Sequence, residues 1–118
     1  MIKQSEHAIQ REIADALPLL LVPGVRWSGI DHAAKITPRQ GAERKARGVI
    51  QGLPDFMFWW PVRRAAAIEL KTAKGRLTPE QKAFASDWTA AGHLHAVCRS
   101  IDDVRTVLRF WRISRESA

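Results

Sequence analysis

Three charged residues in two short stretches have side chains that could do chemistry together. Asp55 closes one stretch (53–55), while Glu69 and Lys71 lie in the other (69–71), and both stretches adjoin residues apolar enough for buried strands. Two like charges about 4 Å apart repel by roughly 4 kcal/mol at an effective dielectric near 20. Because a divalent cation between the carboxylates would remove that penalty, the pattern predicts a metal site, and the basic chain indicates a phosphate substrate.

The residue types indicate separate roles at such a site. Asp55 and Glu69 offer hard oxygen ligands suited to Mg²⁺ or Mn²⁺, and the backbone carbonyl of Leu70 could supply a further oxygen. Lys71 would orient or deprotonate a water that attacks phosphorus, and it would offset charge in the transition state. A surface salt bridge between Glu69 and Lys71 is the alternative interpretation.

The predicted strands explain why these side chains should meet. Strands are expected over 55–60 and 65–71, joined by a hairpin turn. Side chains alternate across a strand, so Glu69 and Lys71 share one face. Pairing through the turn places the start of the first strand near the end of the second, and it therefore brings Asp55 beside Glu69 or Lys71.

Two predicted helices could bring further polar side chains to the same place. The segment 5–20 has helical apolar spacing, and Glu6 lies close to its apolar stripe. Glu6 is therefore expected either to face the metal site or only to complement the helix dipole. The segment 78–81 opens a second helix with a capping box. Gln81 is expected to cap that helix, to point to the site, or to do both.

The remaining segments complete an α/β pattern. Strands are predicted over 25–28 and 93–99, and Ser100 begins a last helix. The stretch 29–52 is interpreted mainly as a long basic loop with one helical turn around 42–46. The predicted order of helix, three strands, helix, strand and helix indicates a mixed central β-sheet flanked by helices.

Length, charge and cysteine content narrow the classes of protein. The 118 residues suit one domain, 1–118, and 46% hydrophobic residues exclude a disordered composition. The net charge is +7, and thirteen of the nineteen basic residues are arginines, which favours a nucleic-acid partner over incidental basicity. The single cysteine, Cys98, excludes an internal disulfide. With no signal-peptide pattern and no apolar run longer than 17–22, we expect a cytoplasmic protein without a membrane partner.

Four motifs together resemble a known family. They are the helical pair Glu6 and Gln10 and the segments 52–55 (GLPD), 68–71 (IELK) and 75–81 (GRLTPEQ). This set is similar to the virus-type replication-repair nuclease (VRR-NUC) domain of the PD-(D/E)xK nuclease superfamily. The resemblance covers nearly the whole chain.

The resemblance implies a restriction-endonuclease-like core and a Mg²⁺- or Mn²⁺-dependent phosphodiesterase that acts on DNA. It implies catalytic roles for Glu6, Asp55, Glu69 and Lys71, with Gln81 as a supporting site residue. Stand-alone members of this size, often from phages and bacteria, are similar to structure-selective endonucleases that act as homodimers on branched DNA, Holliday junctions included. The alternatives are a non-catalytic nucleic-acid-binding module on the same fold and a basic protein–protein adaptor.

Basic residues near the predicted site are candidate DNA contacts. Lys74 and Arg76 follow Lys71 closely, and three more basic residues, Arg44, Lys45 and Arg47, lie on the long loop. Each phosphate contact would add to the affinity and to its salt dependence. A solvated basic surface is the alternative for both groups.

The aromatic and imidazole side chains give further expectations. Trp59 and Trp60 are adjacent, so they point to opposite faces of their strand. One is expected in the core, and the other could meet a base, a helix or a second subunit. The four histidines show no metal-binding spacing and are assigned to packing or to the surface.

Overall fold

A four-stranded mixed sheet organises the chain. The computed structural model describes residues 5–32, 36–62 and 65–116. Its elements in chain order are α1 (Glu6–Leu20), β1 (Arg26–Gly29), α2 (Pro38–Ala46), β2 (Phe56–Trp59), β3 (Ala66–Leu70), α3 (Pro79–Ala90), β4 (Leu94–Cys98) and α4 (Ile101–Phe110). The strands lie in the order β1-β2-β3-β4, with β1–β2 and β2–β3 antiparallel and β3–β4 parallel. The predicted α/β fold with a mixed sheet flanked by helices is therefore confirmed.

The predicted hairpin between β2 and β3 sets the register near the site. Phe56 pairs with Ile68 and Phe58 pairs with Ala66. The strands are shorter at their ends than predicted, and part of the predicted turn, 63–64, lies outside the described residues. Because β3 and β4 are parallel, they need a crossover, and α3 provides it.

One face of the sheet packs against α1 and α4 to form the hydrophobic core. The core includes Ile9, Ile13 and Leu17 from α1, Phe56 and Phe58 from β2, Ile68 and Leu70 from β3, and Val104 and Leu108 from α4. Edge-to-face contacts at 6.3 Å join Phe56 to Phe58 and Phe58 to Trp111. These contacts hold β2 against the core, and with it Asp55, which directly precedes β2.

The second face of the sheet is covered by α3, which packs mainly against β4. Because side chains alternate along a strand, Glu69 and Lys71 point to this face rather than to the core. Of the two adjacent tryptophans, Trp60 packs against the core and Trp59 is half-exposed. Trp60 is therefore the core member of the pair.

The segment 29–52 contains a helix where the sequence pattern predicts only one helical turn in a long loop. Thr37 caps α2 by accepting a hydrogen bond from the Gln40 N–H (3.1 Å), and the Thr37 N–H donates to Gln40 Oε1 (2.8 Å). Pro38 occupies the first helical position. Thr37-Pro38-Arg39-Gln40 carries the same capping signal that predicts α3, so the start of α2 is readable from the sequence. No residue of α2 is buried, which explains why apolar periodicity gave no second indication.

Within the described part of the chain, no helix has both the length and the apolar character needed to cross a bilayer.

Candidate metal centre

Three carboxylates from three elements converge at one end of the sheet. One carboxylate oxygen from each of Glu6, Asp55 and Glu69 lies within 4.8 Å of the other two. Glu6 comes from the first turn of α1, Asp55 precedes β2, and Glu69 lies near the end of β3. Because Phe56 pairs with Ile68, the residues that flank this pair on the site side, Asp55 and Glu69, are neighbours.

The backbone around Asp55 holds its carboxylate in one orientation. The Leu70 N–H donates to Asp55 Oδ2 at 2.7 Å. The Asp55 N–H donates to the Ile68 carbonyl (3.0 Å), and the Asp55 carbonyl accepts from the Ile30 N–H (2.8 Å). Since the N–H and C=O of one strand residue point toward the same neighbouring strand, the Leu70 carbonyl is also directed toward the Asp55 side.

Glu69 carries the electrostatic cost of this convergence. The residue is only 3% exposed. Burial and the neighbouring Asp55 carboxylate raise the pKa of Glu69 to about 8, and the Lys71 ammonium acts in the opposite direction. A bound cation would offset the same cost by replacing the proton. The donor set of three carboxylates therefore fits a hard divalent cation such as Mg²⁺ or Mn²⁺.

Gln81 both caps its helix and contacts the site. Its Oε1 accepts from the Thr78 N–H (2.9 Å), and the Gln81 N–H donates to Thr78 Oγ1 (3.1 Å). The other end of the amide, Nε2, donates to Glu69 Oε1 at 2.7 Å. Both roles expected for Gln81 are therefore present in one side chain.

Glu6 also combines its two expected positions. It lies in the first turn of α1, where an acidic side chain complements the helix dipole, and its carboxylate reaches the cluster. Ser5 caps the same helix by accepting from the Ala8 N–H at 3.1 Å. The cap fixes the start of the helix and so the place from which Glu6 extends.

Lys71 shares the Glu69 face of β3 and is only 7% exposed. Among the ion pairs of the described residues, none joins Lys71 to Glu69, and both residues are buried, so the pair is not a surface salt bridge. The turn at Thr72 to Gly75 packs on the Lys71 side chain, since a Cβ at Gly75 would lie 3.4 Å from the Lys71 Cβ and Cδ. This packing restricts where the ammonium can lie.

The five basic residues predicted to contact DNA lie outside the carboxylate cluster. Lys74 and Arg76 are on the loop between β3 and α3, and Lys45 and Arg47 are at the end of α2, with Arg44 beside them. None of their side chains takes part in an ion pair of the described residues, and the backbone of Arg47 caps α2.

Arg99, which the sequence pattern does not single out, braces the loop that carries two of these residues. Its Nη1 donates to the carbonyls of Thr72 (2.6 Å) and Gly75 (2.7 Å). These two hydrogen bonds, named here the Arg99 contact, tie the end of β4 to the segment directly after Lys71.

His32 is a further residue that the structure brings to the site. Its Nε2 lies 3.1 Å from the Pro54 carbonyl and 3.7 Å from Asp55 Oδ1. Sequence spacing gives no indication of this, because His32 reaches Asp55 only through the tertiary contact between Ile30 and Asp55. A cleft of about 550 Å³ opens over the carboxylates, and His32 and Gln10 line it.

The comparisons with known proteins agree with the motifs. The family model of the VRR-NUC domain matches residues 3–102. A solved structure described as a VRR_NUC domain protein is similar over 92% of this chain and 88% of its own, with a TM-score of 0.69 and 20% sequence identity, which supports the shared fold. No match to a curated protein was found. Because the family model covers most of the chain and the fold agrees, this protein belongs to the VRR-NUC domain family and has its nuclease-type fold.

Proposed function

We propose that this protein is a divalent-metal-dependent endonuclease that hydrolyses phosphodiester bonds in DNA. The observation that carries the proposal is the convergence of the Glu6, Asp55 and Glu69 oxygens within 4.8 Å of one another. When bound there, Mg²⁺ or Mn²⁺ would neutralise the carboxylates and act as a Lewis acid on a phosphoryl oxygen. The net charge of +7 supplies attraction to the DNA backbone.

The protein's own residues then have defined tasks. The ammonium of Lys71, a buried residue that directly follows β3, orients the attacking water and offsets charge on the transition state. Gln81 and the Leu70 N–H hold Glu69 and Asp55 through bonds of 2.7 Å, so that neither carboxylate must reorient when substrate binds. The Leu70 carbonyl provides a further oxygen ligand on the same side.

The substrate in this proposal is branched or otherwise structured DNA. Two groups of basic residues would bind phosphates near the cut, namely Lys74 and Arg76 on the loop after β3 and Arg44, Lys45 and Arg47 at the end of α2. Each contact should steepen the salt dependence of binding. We extend the proposal to a homodimer, because each chain carries one site and two cuts across a junction are simplest with two copies.

Cleavage of branched and flapped DNA in Mg²⁺ or Mn²⁺ tests the chemistry. The unsubstituted chain should cut, and Asp55→Ala and Lys71→Ala should each lose on the order of 10²-fold or more in rate, as loss of a group that stabilises transition-state charge does. Asp15→Ala, which changes an exposed carboxylate on α1, should cut normally.

The same experiment discriminates against the non-catalytic alternative. A binding module would show salt-sensitive binding and no metal-dependent turnover by any of the four proteins. Equal cutting by the unsubstituted chain, Asp55→Ala and Lys71→Ala would show that these residues do not carry the reaction.

A further inference from the structure

A second cleft adjoins the cleft over the carboxylates and remains unused by the chemistry above. It lies between α2 and the segment 49–53, and its volume of about 640 Å³ falls in the roughly 300–1,000 Å³ range of small-ligand sites. The two clefts share part of their walls, at Ile30 to His32 and at Leu53. Anything bound in the second cleft therefore lies next to the cleft over the carboxylates.

The lining of the second cleft combines an apolar surface with positive charge. Its apolar side chains are Ile30, Ile36, Val49, Ile50 and Leu53, and its cations are Arg44 and Lys45. Ile50 is 61% exposed, and Ile36 and Val49 are also exposed. The acidic residue of the lining, Asp31, belongs to the wall shared with the carboxylate cleft.

This composition favours one occupant over two others. A paired duplex presents phosphates and sugars on its outside, so it would meet the cations and leave the apolar surface uncovered. Two copies of the chain apposed at this cleft would bring Arg44 and Lys45 of one against the same cations of the other. An unpaired nucleotide has both a negative phosphate and an exposed base face, which suits both parts of the lining.

We propose that this cleft binds the base of an unpaired nucleotide beside the scissile phosphate. Arg44 and Lys45 bind its phosphate, while Val49 and Ile50 cover the base. The inference rests on the proposed nuclease function and names the feature of structured DNA that the site selects. The chain then prefers cut sites where at least one base is unpaired, because only such a base can enter the cleft.

The experiment measures DNA binding without turnover. The full chain carrying Asp55→Asn is titrated, in a metal chelator, with two DNAs that hold 2-aminopurine at the same position, one unpaired at a flap junction and one fully paired. Unpaired DNA should bind on the order of tenfold more tightly, with a change in 2-aminopurine emission as the base leaves its stack for the cleft. Equal affinity for the two DNAs would overturn the proposal.

A variant pair locates the preference in the cleft. Adding Val49→Ser and Ile50→Ser together should remove the preference and the emission change while leaving affinity for paired DNA within about twofold, because transfer of a base into an apolar contact is lost but the cations remain. Leu19→Ser, which alters a 77% exposed leucine on α1, is the matched control and should change neither. Both sites are exposed, so folding should be retained, and circular dichroism checks this.

Three results would overturn the assignment. In the first, the preference for unpaired DNA survives the double substitution, and in the second it falls equally in the Leu19→Ser control. In the third, the double variant loses affinity for both DNAs equally while a dimer dissociates, which would identify the cleft as a contact between copies. Failure of the nuclease proposal is recognised separately, since it would appear as an unsubstituted chain that binds unpaired DNA yet cuts nothing in Mg²⁺ or Mn²⁺.

Discussion

The helices α2 and α3 begin with the same capping box, but only the α3 cap also hydrogen-bonds a carboxylate of the cluster. In both, a threonine and a glutamine exchange the two hydrogen bonds of a capping box, at 2.8 and 3.1 Å for Thr37 and Gln40 and at 2.9 and 3.1 Å for Thr78 and Gln81. Gln81 then donates a third hydrogen bond to Glu69, and α3 packs on β4 with Phe84 and Trp88 half-buried. The residues of α2 are nearly all exposed. The cap determines where a helix starts, and the packing of that helix on the sheet determines whether its cap also serves the site.

The largest expected effect comes from Glu69, the carboxylate that the α3 cap contacts. Under the proposed function, Glu69→Gln should abolish cleavage, because it removes a charged metal ligand while keeping an oxygen that accepts from Gln81. The pKa of Glu69 is about 8 in the folded chain against an ordinary value of 4.5, so the folded state holds a proton that the unfolded state releases between these pH values. The stability of the metal-free protein should therefore fall as pH rises through this window.

The glutamine variant should lack that fall. The free energy of unfolding of Glu69→Gln, relative to that of the unsubstituted chain, should increase from pH 5 to pH 8.5 by a few kcal/mol at most, since one pKa unit corresponds to about 1.4 kcal/mol. Urea unfolding of both proteins in a metal chelator measures this difference. On α2, the exposed Glu43→Gln should change stability equally at both pH values, and a constant offset for Glu69→Gln would contradict the assigned cause.

Two glycines in the segment after α2 test how closely that segment packs on α3. Gly52 has a φ of +89°, and a Cβ there would overlap the Glu80 carbonyl of α3, whereas Gly48 has a φ of +86° with open space around it. Gly52→Ala should cost about 3 kcal/mol of stability from strain and overlap, and Gly48→Ala about 1 kcal/mol from strain alone. Equal costs by denaturant titration would show that the contact with α3 is easily relieved.

Removing the two glutamine side chains separates capping from site support. Gln81→Ala should lower Mn²⁺ affinity and cleavage rate by 10- to 100-fold, as loss of a partner behind a metal ligand typically does. Gln40→Ala removes the same cap bond from α2 and should leave both quantities within about twofold. Titration calorimetry and cleavage rates give the two readouts, and similar losses in both variants would reject the role of Gln81 at the site.

The smallest expected effect concerns the threonines of the two caps. Thr78→Ala should lower global stability by about 1 kcal/mol, the usual cost of losing an N-cap. Thr37→Ala should instead speed amide hydrogen exchange within α2 and leave global stability nearly unchanged, because α2 is largely exposed whereas α3 packs on β4. A global loss as large as that of Thr78→Ala would show that α2 is tied to the fold.

Local patterns predicted the sheet and much of the site. The alternation through 68–71 and the hairpin between β2 and β3 are short-range features, so residue spacing alone was enough to indicate that Asp55 lies beside Glu69 or Lys71. The register of the two strands then identifies Glu69 as the neighbour. The orientation of Glu6 and the hydrogen bond from Gln81 to Glu69 stayed open, because both depend on how a helix packs on the sheet. The position of His32 could not be predicted from the sequence, since its place beside Asp55 arises from contacts between residues distant in sequence.

The missed helix has a different explanation. Thr37-Pro38-Arg39-Gln40 carried a complete start signal, but the residues after it are too polar to produce an apolar stripe. Sequence alternation could only place Trp59 and Trp60 on opposite faces. Which of the two enters the core depends on tertiary packing, and Trp60 does so.

The Arg99 contact would influence the affinity of the chain for DNA under the proposed function. One guanidinium holds two carbonyls of the turn that leads to Lys74 and Arg76. A turn already ordered in the free protein surrenders little conformational freedom on association, so more of its attraction for phosphate remains as net affinity. Arg99, which directly follows β4 and need not touch nucleic acid, would thereby help to determine how strongly this edge of the molecule binds DNA under the proposed function.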